Sequence, residues 1–320
     1  MDSKLLVSLV CPFHNEEMGI NEFYAMITQE IALLDAFDFE VICIDDGSSD
    51  STLEQLIALT HQDSRFQVVE LSRNFGKEAA LTAGLDCSQG DLIIPLDSDL
   101  QDPPSLISQM IRAWESSGAD VVLAKRVDRQ SDSVSKRLSA AAFYDTYNFL
   151  AHIKIPKNVG DCRLMTRIVV DALKLLPEKQ RFMKGLFAWV GFKTVTIEYV
   201  RQPRSTGTTK FSGWKLWNFA LEGITSFSSL PLRVWTYLGM VGALITVLYG
   251  FFIMIRTLIF GVDLPGYASL LVAILFLGSV QLIGIGVLGE YIGRTYMEAK
   301  RRPTYLIRKT YQQETQNERQ

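Results

Sequence analysis

Up to about residue 230, apolar residues come in short runs, each ended by a polar cluster. Leu5 to Cys11, Glu40 to Ile44, Phe66 to Leu71, Asp91 to Leu96 and Asp120 to Ala124 have the length and apolar content of buried strands. Helical patterns lie between them. Glu16 to Leu34 is polar and then amphipathic, Ser51 and Glu54 fit a capping box that opens a helix, and Pro104 to Ser116 is a further helix. Strands alternating with helices predict an α/β domain with a mostly parallel sheet, covered on both faces. Ligands of such sheets sit at the carboxyl ends of the strands.

The pattern then changes. No charged residue falls from Val234 to Ile255, and none from Leu264 to Gly289. Each run exceeds the ~20 residues a helix needs to cross ~30 Å of hydrocarbon. The expectation is two transmembrane helices forming a hairpin over residues 233–293. Arg294, Lys300, Arg301, Arg302, Arg308 and Lys309 follow it, while the linker between the runs has no Lys or Arg beyond Arg256. The positive-inside rule puts this basic tail, residues 294–320, in the cytosol. A hairpin returns the N-terminal domain, residues 1–212, to the same side. The tail also suits anionic lipid headgroups. Trp214, Trp217 and Phe219 with Lys215 predict an amphipathic interface helix within residues 213–232. Gly289 with Gly293, and Gly239 with Ala243, allow close helix contacts within or between chains, which suits a homo-oligomer.

Composition narrows the class. Nearly half of the 320 residues are hydrophobic, and the excess lies in the two late runs. A net charge of −3 gives no global basicity that would point to nucleic acid. Cys11, Cys43, Cys87 and Cys162 are not in CxxC spacing, and read as reduced, buried thiols rather than disulfides or zinc ligands. The N-terminus lacks the basic stretch and apolar core of a signal peptide.

The strand ends carry the candidate chemistry. Strand one ends in Pro12-Phe13-His14-Asn15-Glu16, strand two in Asp45-Asp46, and strand four in Asp97-Ser98-Asp99-Leu100-Gln101-Asp102. Carboxylates converging on one crevice repel one another unless a metal ion or cationic side chains compensate them. Asp97, Asp99 and the Gln101 amide oxygen are hard donors suited to Mg²⁺ or Mn²⁺. Such an ion bridges the phosphates of a nucleotide sugar and stabilises charge on the leaving diphosphate. An EF-hand loop is excluded, because Asp102 and Ser108 stand where it needs Gly and Glu. Asp45-Asp46-Gly47-Ser48 fits a carboxylate contact to base or ribose, and equally an ordinary strand-to-helix turn. Arg73-Asn74-Phe75-Gly76-Lys77 fits contacts to base or diphosphate, or again a turn.

The motifs CPFHNEE, IDDGSSDST, LSRNFGKEAALTAGLD, PLDSDLQDPP and NVGDCRLM, in this order, resemble the family 2 glycosyltransferases with the Rossmann-like GT-A fold. KLWNFALEGITSFSSLPLR and GIGVLGEYIGRTY are more narrowly similar to the bacterial polyprenyl-phosphate glucosyltransferases. The resemblance implies that Pro12, Asn15 and Glu16 line the nucleotide pocket and that Asp45 and Asp46 lie near base and ribose. It implies Asp97 and Asp99 at the diphosphate and metal, with Gln101 as a further ligand and Ser98, between the two aspartates, in the nucleotide-sugar site. Asp161 matches an acidic position at the active centre, and Arg204, Ser205 and Lys210 a loop near the phosphates. His14, Ser98 and Cys162 depart from the usual residues of the family.

A phosphate monoester acceptor, with a second pKa near ~6, is already a nucleophile at neutral pH. It scarcely needs a general base. The task is to bring two anions together, through position and charge. Arg126, Arg129, Arg137, Arg163, Arg204, Ser205 and Lys210 are candidates for the acceptor phosphate, while Asp161 orients that phosphate or contacts the sugar. The expected partners are a UDP-sugar, a polyprenyl phosphate and the bacterial inner membrane, with a flippase and a later glycosyltransferase downstream. A processive polysaccharide synthase is disfavoured by the lack of a QxxRW motif. A different transferred sugar, or a non-catalytic membrane scaffold, stays open.

Overall fold

The computed structural model describes residues 4–127, 159–179, 181, 183–200, 230–260 and 266–313. The chain begins as β1 (Leu5–Phe13), α1 (Ile20–Ile31), β2 (Phe37–Asp45), α2 (Thr52–Gln62), β3 (Phe66–Leu71), α3 (Lys77–Cys87), β4 (Leu92–Pro95), α4 (Leu106–Ser117) and β5 (Val121–Arg126). It continues as β6 (Val159–Thr166), α5 (Arg167–Lys174), α6 (Met183–Trp189) and β7 (Thr194–Tyr199). Two long helices, α7 (Leu230–Phe260) and α8 (Tyr267–Ala299), precede a last strand, β8 (Ile307–Tyr311).

The strands form one sheet in the order β7-β5-β6-β4-β1-β2-β3-β8. β3, β2, β1 and β4 are parallel, as expected. β6 runs antiparallel to both β4 and β5, and β8 antiparallel to β3. Side-chain alternation splits the core between the two faces. Val7, Leu9, Cys11 and Phe13 of β1 point to one face, where Ile20, Phe23, Ile27 and Ile31 of α1 cover them. Those α1 positions recur at helical spacing, and Phe13 meets Phe23 edge to face at 5.1 Å. Val10 points the other way, toward α3. There the helix carries Gly84, because a Cβ would strike Val10 and Ile44. Each large side chain buried this way contributes roughly 1.5–3 kcal/mol. α4 buries Leu106, Ile107, Met110 and Ile111 and ends where Gly118 turns left-handed at φ 56°.

Several local expectations are corrected. The capping box of Ser51 and Glu54 does not form. Ser51 N–H and Oγ–H both donate to Glu17 Oε2, at 3.0 and 2.8 Å, so a carboxylate from the neighbouring loop displaces the local one. Cys11, Cys43 and Cys162 are buried free thiols, whereas Cys87 is only half-buried. The interface helix expected over residues 213–232 lies largely outside the described residues, and its last three positions belong to α7.

The expected tail is the largest correction. Residues 294–299 continue α8, where Arg294 pairs with Glu290 at 2.9 Å. Residues 307–311, within the expected basic tail, form a sheet strand whose side chains stay largely exposed. Glu70, only 6% exposed on β3, accepts hydrogen bonds from Arg308 at 3.0 Å and from the Tyr311 hydroxyl at 2.8 Å. Tyr305 donates to Asp86 at 2.7 Å, and Glu298 accepts from Lys179 N–H at 2.9 Å. The chain thus leaves the sheet, runs out through α7, returns through α8 and rejoins the same sheet. Among the described residues, one segment, Phe276–Ala299, has the length and hydropathy to cross a membrane.

Thr310 pairs with Val69 in this ladder. Thr310→Pro removes a backbone donor and bends the strand. Amides of Phe66–Leu71 that face β8 should exchange with deuterium at least about tenfold faster in the variant, as a local opening. Unchanged exchange there would mean that β8 contributes nothing to the edge.

Candidate active site

The order of the sheet reverses between β1 and β4, and at such a switch point the loops diverge and leave a crevice at the carboxyl ends of the strands. Five segments meet at this end. The loops after β1 and β2 interlock first. Asn15, held at φ 54°, accepts from Ser49 N–H at 2.8 Å and donates its own N–H to Ser48 Oγ at 3.1 Å. Glu16 N–H donates to Thr52 Oγ1 at 2.9 Å. His14 Nδ1 lies 3.0 Å from the Asp46 carbonyl oxygen. It serves as a link between loops, and Pro12 stands just before it within β1.

Asp46 then fastens the loop after β3. Its two oxygens accept from the Phe75 and Gly76 N–H groups, at 2.7 and 2.9 Å. Burial pushes its carboxyl up from the usual value, and those two N–H groups oppose the shift. Close approach of the loops needs Gly47, at φ 62°, because a Cβ there would collide with the Arg73 and Asn74 backbone. The sequence reading gave Asp46 to the nucleotide; in the fold its carboxylate is committed to backbone. Asp45 is buried and accepts from Ser48 N–H at 3.2 Å through one oxygen, while the other has no hydrogen-bond partner. Arg73 stacks on Phe75, 4.3 Å from the ring centre, beside the exposed Asn74.

Gly76, at φ 97°, delivers Lys77 as the first residue of α3. The Lys77 ammonium sits between two carboxylates, 2.6 Å from Asp97 Oδ1 and 2.8 Å from Asp161 Oδ2. Burial works against this charge, but Asp97 and Asp161 outweigh it and hold the ammonium above the ordinary lysine value. For Asp161, burial acts upward, while Lys77 and Lys184 bring the carboxyl well below the usual range. Its Oδ1 is buried without a hydrogen-bond partner. Ser98, Asp99 and Gln101 follow Asp97 in a half-buried turn, in which Asp99 Oδ1 accepts from Gln101 N–H at 3.2 Å. Leu100 makes that turn at φ 53° and buries its side chain.

Oxygen donors at Asp97 and Asp99 fit a hard divalent cation in kind. No group of three or more acidic, histidine or cysteine side chains is gathered for a metal among the described residues. A complete coordination sphere therefore needs the Gln101 amide oxygen or oxygens brought by a ligand.

The acceptor candidates divide. Arg163 is 5% exposed, donates to the Gly160 and Asp161 carbonyls at 2.8 and 3.2 Å, and stacks 3.8 Å over the Phe187 ring. Burial brings its guanidinium down to about 10. Its bonds to the two carbonyls anchor the strand that presents Asp161. Arg126 ends β5 and is half-buried. Arg129, Arg137, Arg204, Ser205 and Lys210 lie outside the described residues.

Three features escaped the sequence reading. Asp102 accepts from the Tyr199 hydroxyl at 2.6 Å, tying the acidic loop to β7. Lys184 adds positive charge near Asp161, and with Arg163 and Phe187 it lines a cavity of about 220 Å³ beside α6. Glu78, next to Lys77, is raised to about 7 by burial and by the Asp161 charge. Asp102 and Glu78 lie within quoted motifs, but the role of each of the three depends on contacts between distant segments.

A parallel sheet with an antiparallel β6 and an acidic, lysine-centred crevice at its switch point defines a GT-A-like nucleotide-sugar glycosyltransferase fold. The model described as glycosyl transferase family 2 matches residues 8–174, and one described as GtrB C-terminal hairpin matches residues 230–295. The chain belongs to glycosyl transferase family 2. It is 53% identical over 303 residues to the prophage bactoprenol glucosyl transferase homolog of Escherichia coli (strain K12), covering 95% of this chain and 98% of that one. It is 54% identical over 305 residues to the bactoprenol glucosyl transferase of Shigella phage SfII, covering 95% and 98%. An uncharacterized glycosyltransferase of Synechocystis sp. is 51% identical over 301 residues, covering 94% of each.

Glu78 yields a pH prediction. A carboxyl raised from 4.5 to about 7 in the folded state contributes stability that is full below about 4.5 and lost as pH rises through about 7. Resistance to thermal unfolding should fall over that window, and Glu78→Gln should flatten the fall. An equal slope in both proteins would assign it to other groups.

Proposed function

We propose that this chain transfers glucose from UDP-glucose to undecaprenyl or another polyprenyl phosphate at the cytosolic membrane face, with a divalent metal and inversion at the anomeric carbon. A phosphate oxygen of the acceptor attacks that carbon, the bond to the donor diphosphate breaks, and UDP leaves with the electron pair. No proton needs to move. The observation that carries this reading is the cluster of Asp97, Lys77 and Asp161 at the switch point, in a chain similar over nearly its whole length to bactoprenol glucosyl transferases.

Asp97 and Asp99, with Gln101, would hold Mg²⁺ or Mn²⁺, which supplies positive charge against the diphosphate when bound. The loops carrying Pro12, Asn15, Glu16, Asp45 and Arg73 would receive the nucleotide, and the loop containing Arg204, Ser205 and Lys210 would meet the phosphates. Asp161 would orient the acceptor or the sugar. α7 and α8 would cross the inner membrane as a hairpin. The pairing of β8 with β3 supports this, because the chain before α7 and the chain after α8 share one sheet and hence one side of the membrane. Anchoring raises the effective concentration of a lipid acceptor at the crevice. The lipid-linked sugar would then serve O-antigen or another surface glycan, after a flippase and a further glycosyltransferase.

The test is transfer of radiolabelled glucose from UDP-glucose to undecaprenyl phosphate by purified protein in detergent. Labelled lipid should form with Mg²⁺ or Mn²⁺ and vanish with EDTA. Asp99→Asn should lower kcat by at least about 10²-fold, the scale of losing one charge-stabilising group. Transfer of mannose or N-acetylglucosamine in place of glucose would revise the donor. Failure with every donor by a folded, inserted protein would favour a scaffold.

A further inference from the structure

Lys77 occupies a place that the reaction chemistry would give to a metal ion. Its ammonium touches Asp97, a proposed metal ligand, at 2.6 Å and Asp161 at 2.8 Å. These carboxylates come from the loop after β4 and from β6, and without a cation between them they would repel. Three further observations bear on how lasting the contact is. The Lys77 side chain as a whole is 48% exposed, so it is not packed into the core. The backbone beneath it is fixed, since Asp46 holds both residues before it. Asp161 Oδ1 is buried with no hydrogen-bond partner, so the carboxylate retains accepting capacity that Lys77 does not use.

We propose that Lys77 is a resident counter-cation that keeps a divalent ion off Asp97 until a nucleoside diphosphate arrives. The diphosphate takes the ammonium from Asp97, at the N-terminus of an eleven-residue helix that itself favours an anion. Asp97 would then be available, with Asp99 and Gln101, to hold the metal, which would supply positive charge against the diphosphate. Lysine suits this task because it is a point charge on a flexible stem, whereas a guanidinium would be clamped in a planar pair. Metal and nucleotide binding are thereby coupled: each strengthens the other by the same factor. The inference rests on the assignment of Asp97 to the metal and donor site.

The experiment is a Mn²⁺ titration of the full-length protein in detergent, with free Mn²⁺ read by electron paramagnetic resonance, with and without UDP. In wild type, UDP should tighten Mn²⁺ binding by about 5- to 150-fold, the usual range of coupling between sites. In Lys77→Met, Mn²⁺ should bind more tightly than to wild type when UDP is absent, and the effect of UDP should shrink. Lys77→Arg keeps the charge and should keep Mn²⁺ binding weak without UDP. Equal or weaker Mn²⁺ binding by folded Lys77→Met without UDP would overturn the proposal. So would wild-type Mn²⁺ affinity that UDP does not change, a result that needs no variant. If wild type bound neither UDP nor Mn²⁺ with UDP present, the donor-site reading itself would fail.

Discussion

Two carboxylates from strands of opposite direction face each other at the switch point, and the ammonium of Lys77 lies between them. Most of the site's architecture serves to put that ammonium there. Gly47 lets the loop after β2 approach the loop after β3. Asp46 then fixes the two N–H groups just before Lys77. Gly76 takes the left-handed backbone that opens α3, and Gly84 lets α3 lie close to β1 and β2. Arg163, sunk behind Asp161 and hydrogen-bonded to its carbonyl, holds the other side of the pair. A buried cation with several acceptors is a costly element unless each group is satisfied. Here the Phe187 face and two carbonyls provide that satisfaction.

The second organising constraint is closure of the chain on itself. β8 is supplied from beyond α8, yet it completes the edge beside β3, whose following loop carries Arg73 and Lys77. The edge would otherwise expose unpaired backbone groups. Glu70 makes the pairing specific by accepting from Arg308 and Tyr311 at once. The chain beyond α8 is thus tied to the framework that carries the loops of the candidate site.

Much of this was legible in the sequence, for a physical reason: it depends on local pattern. Strand β3 was read at its observed limits, and β1, β2, β4 and β5 within a few residues, because buried strands are short apolar runs. The acidic strand ends were legible because polar residues interrupt those runs. What was not legible depends on pairing across distance. The antiparallel direction of β6 is set by a sheet partner rather than by its own residues. β8 reads IRKTY, with charge and exposure typical of an edge, and so resembled a basic tail. Glu17 was unremarkable until the fold put it against Ser51. The backbone hydrogen bonds of Asp46 and Arg163 were not legible either, because they join segments far apart in the chain or depend on burial.

The division between fixed and movable charge gives the site its character. Asp46 and Arg163 both spend their hydrogen-bonding capacity on backbone, and neither can leave without freeing buried polar groups. Lys77 differs: its partners are two side-chain carboxylates, its own side chain is half exposed, and its stem is long. A site that must accept a polyanion needs positive charge already present, or the entering phosphates meet only aspartates. It also needs that charge to be transferable, or the carboxylates stay neutralised and have no affinity for a second cation. A fixed arginine meets the first requirement alone, and an uncompensated acidic crevice meets neither. A lysine on a fixed backbone, bonded at its tip only to side-chain carboxylates, meets both.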